Sequence, residues 1–488
     1  MEWRLFATVW LVYLVHLAPL TGYNENRYLD LVRSIVDEGR FEIDTYHFNT
    51  RDKSYRNGHY YAGAAPGPAF LAIPGYLTFK VIEPILPESL FRSYDKPGYI
   101  RGFLKSRDAP DDFVDEYPIG RFIISHLLIT ALSCCLLTAI TVVVLYRTAL
   151  NFISRSDAMV VALTYAFGTL TFFYATRLYA HVLGGGFVFL AFMILAGRYL
   201  SNTRITPTAI FWSGLCLGTA VLMDYAAAPV ATCVGIYILV KVRDQRIVWA
   251  VLGGLIPVGI LLWYHYVCFG SPFKTAYGFP NGPVDDGIHK YYEQNFHGFS
   301  LPDPTHLWGI TLGMYDGLLW HMPIIIPAGY GLVAAILNDN RFRIEWTLIA
   351  GTVLAQCMFN AMMHSLYWFG GWNFGPRFTQ PMMPFLMLGL IPIMTMVRIR
   401  HTIILPIAIL SILICWIGVQ YGPSKSLPGV FILFLLSGPA LPVYTFIETY
   451  IHSETAWPIG MSPTGIFLIF GLIIGYIWYT LLVPKLKS

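Results

Sequence analysis

Carboxylates, basic residues and aromatic rings are concentrated in one polar stretch that follows the first hydrophobic segment. The stretch runs from about residue 23 to 118, and its core reads YNENRYLDLVRSIVDEGRFEIDTYHFNTRDKSYRNGHYYAGAAPGP. A carboxylate can accept the proton of an attacking hydroxyl, and an arginine or lysine can stabilise a departing phosphate. Both kinds of group occur together here, so we expect the chemistry of the chain in this stretch.

Glu25 is the first carboxylate of the stretch, and two interpretations of it stay open. Apolar residues recur at helical spacing from Tyr28 to Val36 and stop at Gly39, which predicts a helix capped by Asn24 or Asn26. A carboxylate in the first turn of such a helix stabilises it by about 0.3–1 kcal/mol. Glu25 is therefore either a helix-stabilising residue or a catalytic base.

Extended segments follow this helix and carry two more candidate bases, Asp44 and Asp52. Asn57-Gly58 is typical of a tight turn between two such segments. The apolar stretch from residue 66 to 82 contains Pro74, which predicts a short interfacial or re-entrant helix.

The composition is that of a polytopic membrane protein with one membrane domain, residues 1–488. Of the 488 residues, 56% are hydrophobic and 12% charged, too few charges to cover a soluble surface of this size. About twelve apolar runs are long enough to cross a bilayer. They predict an all-α fold with a large first loop carrying juxtamembrane helices, and their approximate spans are 4–20, 120–146, 157–176, 182–199, 207–223, 226–241, 248–268, 321–337, 346–366, 381–397, 402–420 and 464–483.

Lysine and arginine in the short loops predict the orientation. Basic residues near 147–155, 198–204, 241–246, 341–343, 398–400 and 485–487 all fall on one side, which the positive-inside rule assigns to the cytoplasm. Both termini are then cytoplasmic, with the first span uncleaved. Segments 23–118, 269–320 and 367–380 face outward, and 421–463 is outward or re-entrant.

Ionisable residues also stand at the outer ends of later spans. Arg177, His181 and Asp224 are placed there, and Arg377 follows the glycine-rich segment GGWNFGPR, which predicts a close backbone approach. Purely structural interpretations stay open for two of them. His181 is either a ligand or a satisfied intramembrane histidine, and Asp224 is either a ligand or the buried partner of Arg177. A phosphate suits the planar fork of Arg377.

The order of these segments resembles the GT-C membrane glycosyltransferases, and within them the clan of protein O-mannosyltransferases and lipid A aminoarabinose transferases. The topology of nearly the whole chain carries the likeness, and its most distinctive segments are GHYYAGAAPG and GGWNFGPR. The resemblance implies transfer of a sugar from a polyprenyl-phosphate donor to a lipid, glycan or protein acceptor. The displacement is inverting and takes place on the extracytoplasmic face, with a carboxylate after the first span as base.

Two positions depart from the clan's pattern. Asn24-Glu25 stands where an Asp-Glu pair is usual, so Glu25 becomes the leading base, with Asp44 and Asp52 behind it. The loop motif lacks its usual lysine before Pro66, so the phosphate contact must come from other cations. The residues expected to bind substrate are Asn24, Arg27, Lys53, Arg56, His59, Tyr60, Tyr61, Arg177, His181, Asp224, Trp372 and Arg377.

Other functions and ligands stay open. His59, Tyr60 and Tyr61 can also simply pack the loop against the membrane. A divalent metal is conceivable among Asp and His residues of the first loop, but no spacing demands one, and we expect no nucleic acid. A transporter or flippase is the main alternative, although transporters favour ionisable groups near the midplane and repeated halves. A different lipid-headgroup transferase is a third interpretation.

Overall fold

The computed structural model describes residues 1–19, 22–88, 91, 118–283, 298–363, 368, 370–371, 373–422, 427–442 and 463–479. Within these ranges the chain is mostly helical, with one two-stranded β-hairpin. The helices of the first half are α1 (Glu2–Val15), α2 (Tyr23–Arg33), α3 (Gly67–Ile82), α4 (Ile119–Thr130), α5 (Leu136–Ala149), α6 (Arg155–Phe167), α7 (Thr171–Ala175), α8 (Ala180–Leu200), α9 (Pro207–Met223), α10 (Ala228–Lys241) and α11 (Ile247–Phe269).

The second half continues in the same way, with several shorter helices. They are α12 (Pro304–Thr311), α13 (Leu318–His321), α14 (Ile325–Asn338), α15 (Arg343–Ala361), α16 (Met383–Leu388), α17 (Ile391–Met394), α18 (Val397–Ile399), α19 (Leu405–Tyr421), α20 (Leu427–Ser437) and α21 (Pro463–Tyr479). The hairpin strands are β1 (Lys53–Arg56) and β2 (His59–Ala62). Single π-helical turns extend α2 and join α4 to α5 and α18 to α19.

Four helical stretches are long and apolar enough to cross a membrane: Gly120–Ala149, Ala180–Leu200, Ile247–Phe269 and Val397–Tyr421. Four predicted spans, 120–146, 182–199, 248–268 and 402–420, lie within these stretches. Among the described residues the structure interrupts three others: 157–176 breaks between α6 and α7, 321–337 breaks between α13 and α14, and 381–397 is a series of short helices. Proline explains the last of these breaks, because Pro381, Pro384 and Pro392 each lack the N–H that a continuous helix uses.

Ion pairs gather the basic loops at one end of the helical bundle, which we call the basic end. Arg147 pairs with Glu2 at 2.7 Å, and Arg400 pairs with Asp157 at 2.8 Å. Lys241 at the end of α10 pairs in the same way with Glu345 at the start of α15. The described loops that carry these basic residues therefore lie at the same end of the bundle.

The predicted outer segments meet at the opposite end, which we call the site end. Ala18, after α1, donates its N–H to Thr176 O at 3.2 Å. The hairpin is fastened to the segment after α11, because Ser54 donates its hydroxyl to Ala276 O at 2.7 Å. Segments that lie far apart in the sequence thus come together at the site end.

The first polar stretch contains the predicted local elements. α2 occupies the predicted amphipathic segment, and its π-helical extension stops at Gly39, whose φ of 68° is the left-handed value that glycine adopts freely. Asn57 and Gly58 have φ of 51° and 89° and form the predicted hairpin turn. The predicted asparagine cap is wrong, because Gly22 is the N-cap of α2 and supplies no side chain.

α9 and α11 pack closely because glycines line their contact. A Cβ at Gly253 would overlap the carbonyl oxygen of Phe211, and one at Gly218 would lie 2.5 Å from Gly254 O. Small residues let membrane helices approach to backbone distance, where dispersion contacts are strongest. This contact supports the site end, because α9 ends at Met223, directly before Asp224.

We expect Gly253→Ala to push these two helices apart and to cost about 1–3 kcal/mol of unfolding free energy, as overpacking usually does. Thermal unfolding in detergent, followed by tryptophan fluorescence, should show a lower midpoint. Gly259→Ala on the same helix is the matched control, because nothing lies within 4 Å of a Cβ built there. Equal midpoints for the two variants would contradict the close-packing account.

Candidate active site

Asn24, Asp52 and Arg377 meet at the site end and form the centre of the candidate site. In the amide orientation that satisfies both neighbours, Asn24 donates to Asp52 Oδ2 at 3.0 Å and accepts from Arg377 Nη1 at 2.8 Å. One amide therefore separates a carboxylate from a guanidinium. All three residues were predicted from the sequence, but their direct contact was not.

Asp52 is held by an ion pair and by the backbone around it. Arg27 Nη1 donates to Asp52 Oδ2, and Arg27 Nη2 donates to the hydroxyl of Tyr28 at 3.0 Å. The Gly63 N–H donates to Asp52 O at 3.1 Å, and a Cβ at Gly63 would lie 2.7 Å from that oxygen. The glycine of the GAAPG segment is therefore needed so that the chain can close against Asp52.

Arg377 is half-buried and has no ion-pair partner among the described residues. Its Nη1 reaches Asn24, its guanidinium lies 4.9 Å from the ring of Phe378, and its Nε makes no hydrogen bond within the described part of the chain. An unpaired guanidinium in a partly desolvated place is costly unless an anion joins it. Arg377 is thus the cation of the site that is best placed to receive a phosphate.

The glycine-rich segment before Arg377 shapes the backbone around this guanidinium. Gly370 has a φ of 88°, and a Cβ there would lie 2.7 Å from Arg377 Cγ. Tyr179 fixes the same segment by donating its hydroxyl to Asn373 Oδ1 at 2.8 Å. The predicted close approach is present at Gly370, and it is an approach to the arginine of the same segment.

Glu25 lies in the first turn of α2 and is only 4% exposed. Its Oε2 finds no hydrogen-bond partner among the described residues. Burial raises the pKa of Glu25, while the nearby positive charges of Arg177 and Arg377 act to lower it. Glu25 therefore places a carboxyl group near two arginines within the protein interior.

Arg177 is buried and bound by neutral groups. It donates to Phe173 O at 3.2 Å and to Gly422 O at 3.0 Å, and its guanidinium covers the Phe173 ring at 3.8 Å. Burial lowers the pKa of Arg177 to about 10. The open alternative that Asp224 is its partner is wrong, because Asp224 pairs with His181 at 2.6 Å. Arg177 instead ties the end of α19 to the site.

Asp44 forms a separate cluster on the outer side of the hairpin. It accepts from His59 Nδ1 at 2.7 Å and from the N–H of Tyr60 at 2.7 Å, and the side chain of His59 is half exposed. Lys53 donates to His47 O at 2.8 Å, and the ring of His47 stacks on Tyr60 at 3.8 Å. None of these contacts involves Asn24, Asp52 or Arg377.

Two further predicted ligands have structural contacts in the hairpin. Arg56 donates to Cys268 O at 2.8 Å and so fixes the hairpin to the end of α11. Tyr61 is buried, and its hydroxyl lies 3.4 Å from Glu42 Oε1. Trp372, the remaining predicted ligand, lies outside the described residues.

Asp316 is a buried carboxylate that the sequence interpretation missed. It is 8% exposed, and it has no hydrogen bond or ion pair with any described residue. Burial raises its pKa to about 6, and its charge is felt by Tyr174, whose hydroxyl binds Gly375 O in the segment before Arg377. The flanking glycines, Gly313 and Gly317, were the available signal, since they mark a tight backbone where an unpaired acid is unusual.

No group of three or more His, Cys, Asp or Glu side chains suited to a metal ion occurs within the described ranges. Comparison of the chain with protein-family models, with curated proteins and with solved structures finds no match of any of these three kinds. The functional argument therefore starts from the contacts at the site end.

We expect Asp316→Asn to stabilise the protein at neutral pH. The folded-state pKa of Asp316 is raised from 3.8 to about 6, so its charge is a penalty that is absent below about pH 4 and complete above about pH 6. Asparagine removes that penalty, which is on the order of 1–3 kcal/mol.

Thermal unfolding at pH 4.5 and pH 7.5 tests this expectation. The gain of Asp316→Asn should be large at pH 7.5 and small at pH 4.5. Asp244→Asn is the control, because Asp244 is exposed and paired with Arg246, so its replacement should bring no gain at either pH. A loss of stability at pH 7.5 would show that Asp316 is satisfied in the folded protein.

Proposed function

We propose that this chain is a membrane glycosyltransferase that transfers a sugar from a polyprenyl-phosphate donor to an acceptor hydroxyl. In this proposal the chain crosses the cell membrane about twelve times, both termini are cytoplasmic, and the site end faces outward. The observation that carries the proposal is that Asp52 and Arg377 stand one amide apart, joined by Asn24. A proton acceptor and a phosphate ligand at that separation suit displacement of a phosphate from a sugar.

Arg377 is the proposed ligand of the donor phosphate. Its guanidinium offers a planar set of N–H donors, and the described residues provide no carboxylate that would compete for it. Asn24 orients one of these donors, and the buried carboxyl group of Glu25 lies close enough to interact with the guanidinium electrostatically without forming an ion pair. A phosphate bound here replaces water around a cation that the protein has already positioned.

Asp52 is the proposed base, in preference to Glu25. The side chain of Asp52 is 30% exposed, whereas Glu25 is 4% exposed and its Oε2 is closed off by the protein. A general base must reach the proton that it accepts. The acceptor oxygen then forms a bond to the anomeric carbon from the face opposite the phosphate, its proton moves to Asp52, and the electron pair of the broken carbon–oxygen bond leaves on the phosphate.

Membrane access for the lipid tail of the donor is supported by α3, which follows the GAAPG segment. Leu77, Val81 and Ile85 are exposed along one side of this region, at helical spacing. An exposed apolar stripe of this kind is stabilised by contact with acyl or isoprenoid chains. The polar site would bind the head of the donor, and the apolar stripe of α3, which follows directly in the chain, would contact its tail.

The distribution of charge disfavours a transporter. In the four helices long enough to span a membrane, every charged residue is an arginine within the first four or the last three positions. Transporters place ionisable groups near the midplane, where the substrate is released from one side to the other. The charged residues of these four helices instead lie at their ends.

Purified protein in lipid should transfer, or slowly hydrolyse, one member of a panel of radiolabelled polyprenyl-phosphate sugars. We expect Asp52→Asn to lower turnover about 10²–10⁴-fold, as loss of a general base does, and Arg377→Ala to lower it about 10²–10³-fold, as loss of a charge-stabilising donor does. Glu25→Gln should cost less than Asp52→Asn, since Glu25 acts through the arginines.

Asp244→Asn and Arg341→Ala are matched controls at the basic end and should keep full activity. A larger loss in Glu25→Gln than in Asp52→Asn would make Glu25 the base. Movement of the lipid-linked sugar across the bilayer without a covalent product would replace the proposal with transport.

A further inference from the structure

His181 and Asp224 form a buried pair beside the Asn24 centre. His181 lies in the first turn of α8, its Nδ1 is 2.6 Å from Asp224 Oδ2, and both side chains are 8% exposed. The other oxygen of Asp224 accepts from the N–H of Ala226 at 3.0 Å, so the carboxylate is fixed at both ends. A carboxylate on Nδ1 sets the tautomer and orientation of an imidazole.

The backbone is shaped to allow this pair. A Cβ at Gly184 would lie 3.1 Å from the Cβ of Asp224, and one at Gly67, in the GAAPG segment, would overlap the carbonyl of Leu222. Glycines at these two positions let α8 and the first polar stretch approach the turn that carries Asp224. The geometry of the pair is therefore specified by several segments at once.

The imidazole lies near the segment that carries the proposed phosphate ligand. The His181 ring meets the ring of Phe378 edge-on at 4.9 Å, and Phe378 directly follows Arg377. Besides Asp224, the charges that act on His181 are those of Arg377 and Arg27, and the ring of Tyr179 lies 6.3 Å away. With Nδ1 committed to Asp224, Nε2 makes no hydrogen bond to any described residue and is the nitrogen available to a ligand.

We propose that His181 is the general acid that protonates the departing lipid phosphate, with Asp224 as its positioning residue. This inference rests on the proposed glycosyl transfer. As the bond between the anomeric carbon and the phosphate oxygen breaks, its electron pair stays on that oxygen, which takes the proton from Nε2. The acceptor's proton goes to Asp52, so one proton is gained and one is lost by the protein, and His181 is recharged from solvent after release.

Burial and the neighbouring arginines oppose protonation of the imidazole, and the donor phosphate compensates for the arginines. The charges of one carboxylate, Asp224, and of two guanidiniums, Arg377 and Arg27, act on His181. A bound phosphate diester adds a negative charge next to Arg377 and so favours the imidazolium at the moment when it is needed. Binding of the donor therefore favours the protonated form of His181 that the proposed step requires.

A donor with a better leaving group tests the inference. The probe is the polyprenyl-phosphate sugar that wild-type protein uses, together with its analogue bearing fluorine on the second carbon of the lipid chain, which lowers the basicity of the departing phosphate so that it leaves more readily without a proton. We expect His181→Gln to reduce transfer from the natural donor about 10²-fold or more, and transfer from the fluorinated donor at least tenfold less severely. Asp224→Asn should show the same trend with a smaller loss.

Each variant is its own control, because the ratio between the two donors cancels any loss of folded protein. His265→Gln is the matched control for a buried histidine, since its ring is held by the Tyr225 hydroxyl at 2.7 Å and by Pro272 O at 3.1 Å. Its donor ratio should equal that of wild-type protein. An unchanged ratio in His181→Gln would overturn the inference and leave glycosyl transfer standing, and wild-type protein inactive with both donors would overturn both.

Discussion

The amide of Asn24 holds together a carboxylate and a guanidinium that come from opposite ends of the chain. It donates to Asp52 at 3.0 Å and accepts from Arg377 at 2.8 Å, so neither charged group can turn away without leaving an amide atom unpaired. Such a contact needs the start of α2, the hairpin and the segment before Arg377 to arrive at one place. The packing contacts of the site end hold these three segments together.

Each ionisable group near this contact is satisfied in a different way. Arg27 has a carboxylate, Arg177 has backbone carbonyls and an aromatic face, and Asp224 has a histidine and an N–H. Arg377 has an amide, the hydroxyl of Tyr179 and an aromatic ring, and no carboxylate is ion-paired with it among the described residues. Because buried charge is costly when it is unmatched, the difference between Arg377 and the other arginines is the physical reason to place an anionic ligand there.

Glycines at the site end allow close backbone packing and a positive φ beside a side chain. Gly253 lets α11 contact α9 beneath the turn that carries Asp224, and Gly63 lets the chain close on Asp52. Gly370 takes a φ of 88° beside the side chain of Arg377. The distinctive glycine-rich segments of the sequence are therefore explained by the positioning of the charged residues, before any ligand is considered.

The sequence predicted local elements well and long-range partners poorly. Helical spacing located α2, and Asn57-Gly58 located the hairpin, because both depend on residues close together in the chain. The sequence did not predict which carboxylate meets which cation. Asn24 or Asn26 was expected to cap α2, whereas the side chain of Asn24 contacts Asp52 and Arg377. Asp224 was expected to be a candidate partner of Arg177, whereas it pairs with His181.

Some expectations failed for identifiable local reasons. The interrupted span 381–397 shows that mean hydropathy does not register how proline ends a helix. Asp316 was missed because its burial, which makes its carboxylate unusual, depends on tertiary packing, and the flanking glycines were the one local signal of it.

Binding of the reaction's lipid product is the measurement that most directly tests the claim that Arg377 receives a phosphate. Protein in nanodiscs would be titrated with polyprenyl phosphate and with the matching neutral polyprenol, using wild-type protein, Arg377→Ala and the control Arg341→Ala. We predict phosphate-dependent binding that weakens at least tenfold in Arg377→Ala and is unchanged in Arg341→Ala. Equal binding of the phosphate and the alcohol, or full phosphate binding by Arg377→Ala, would contradict the account.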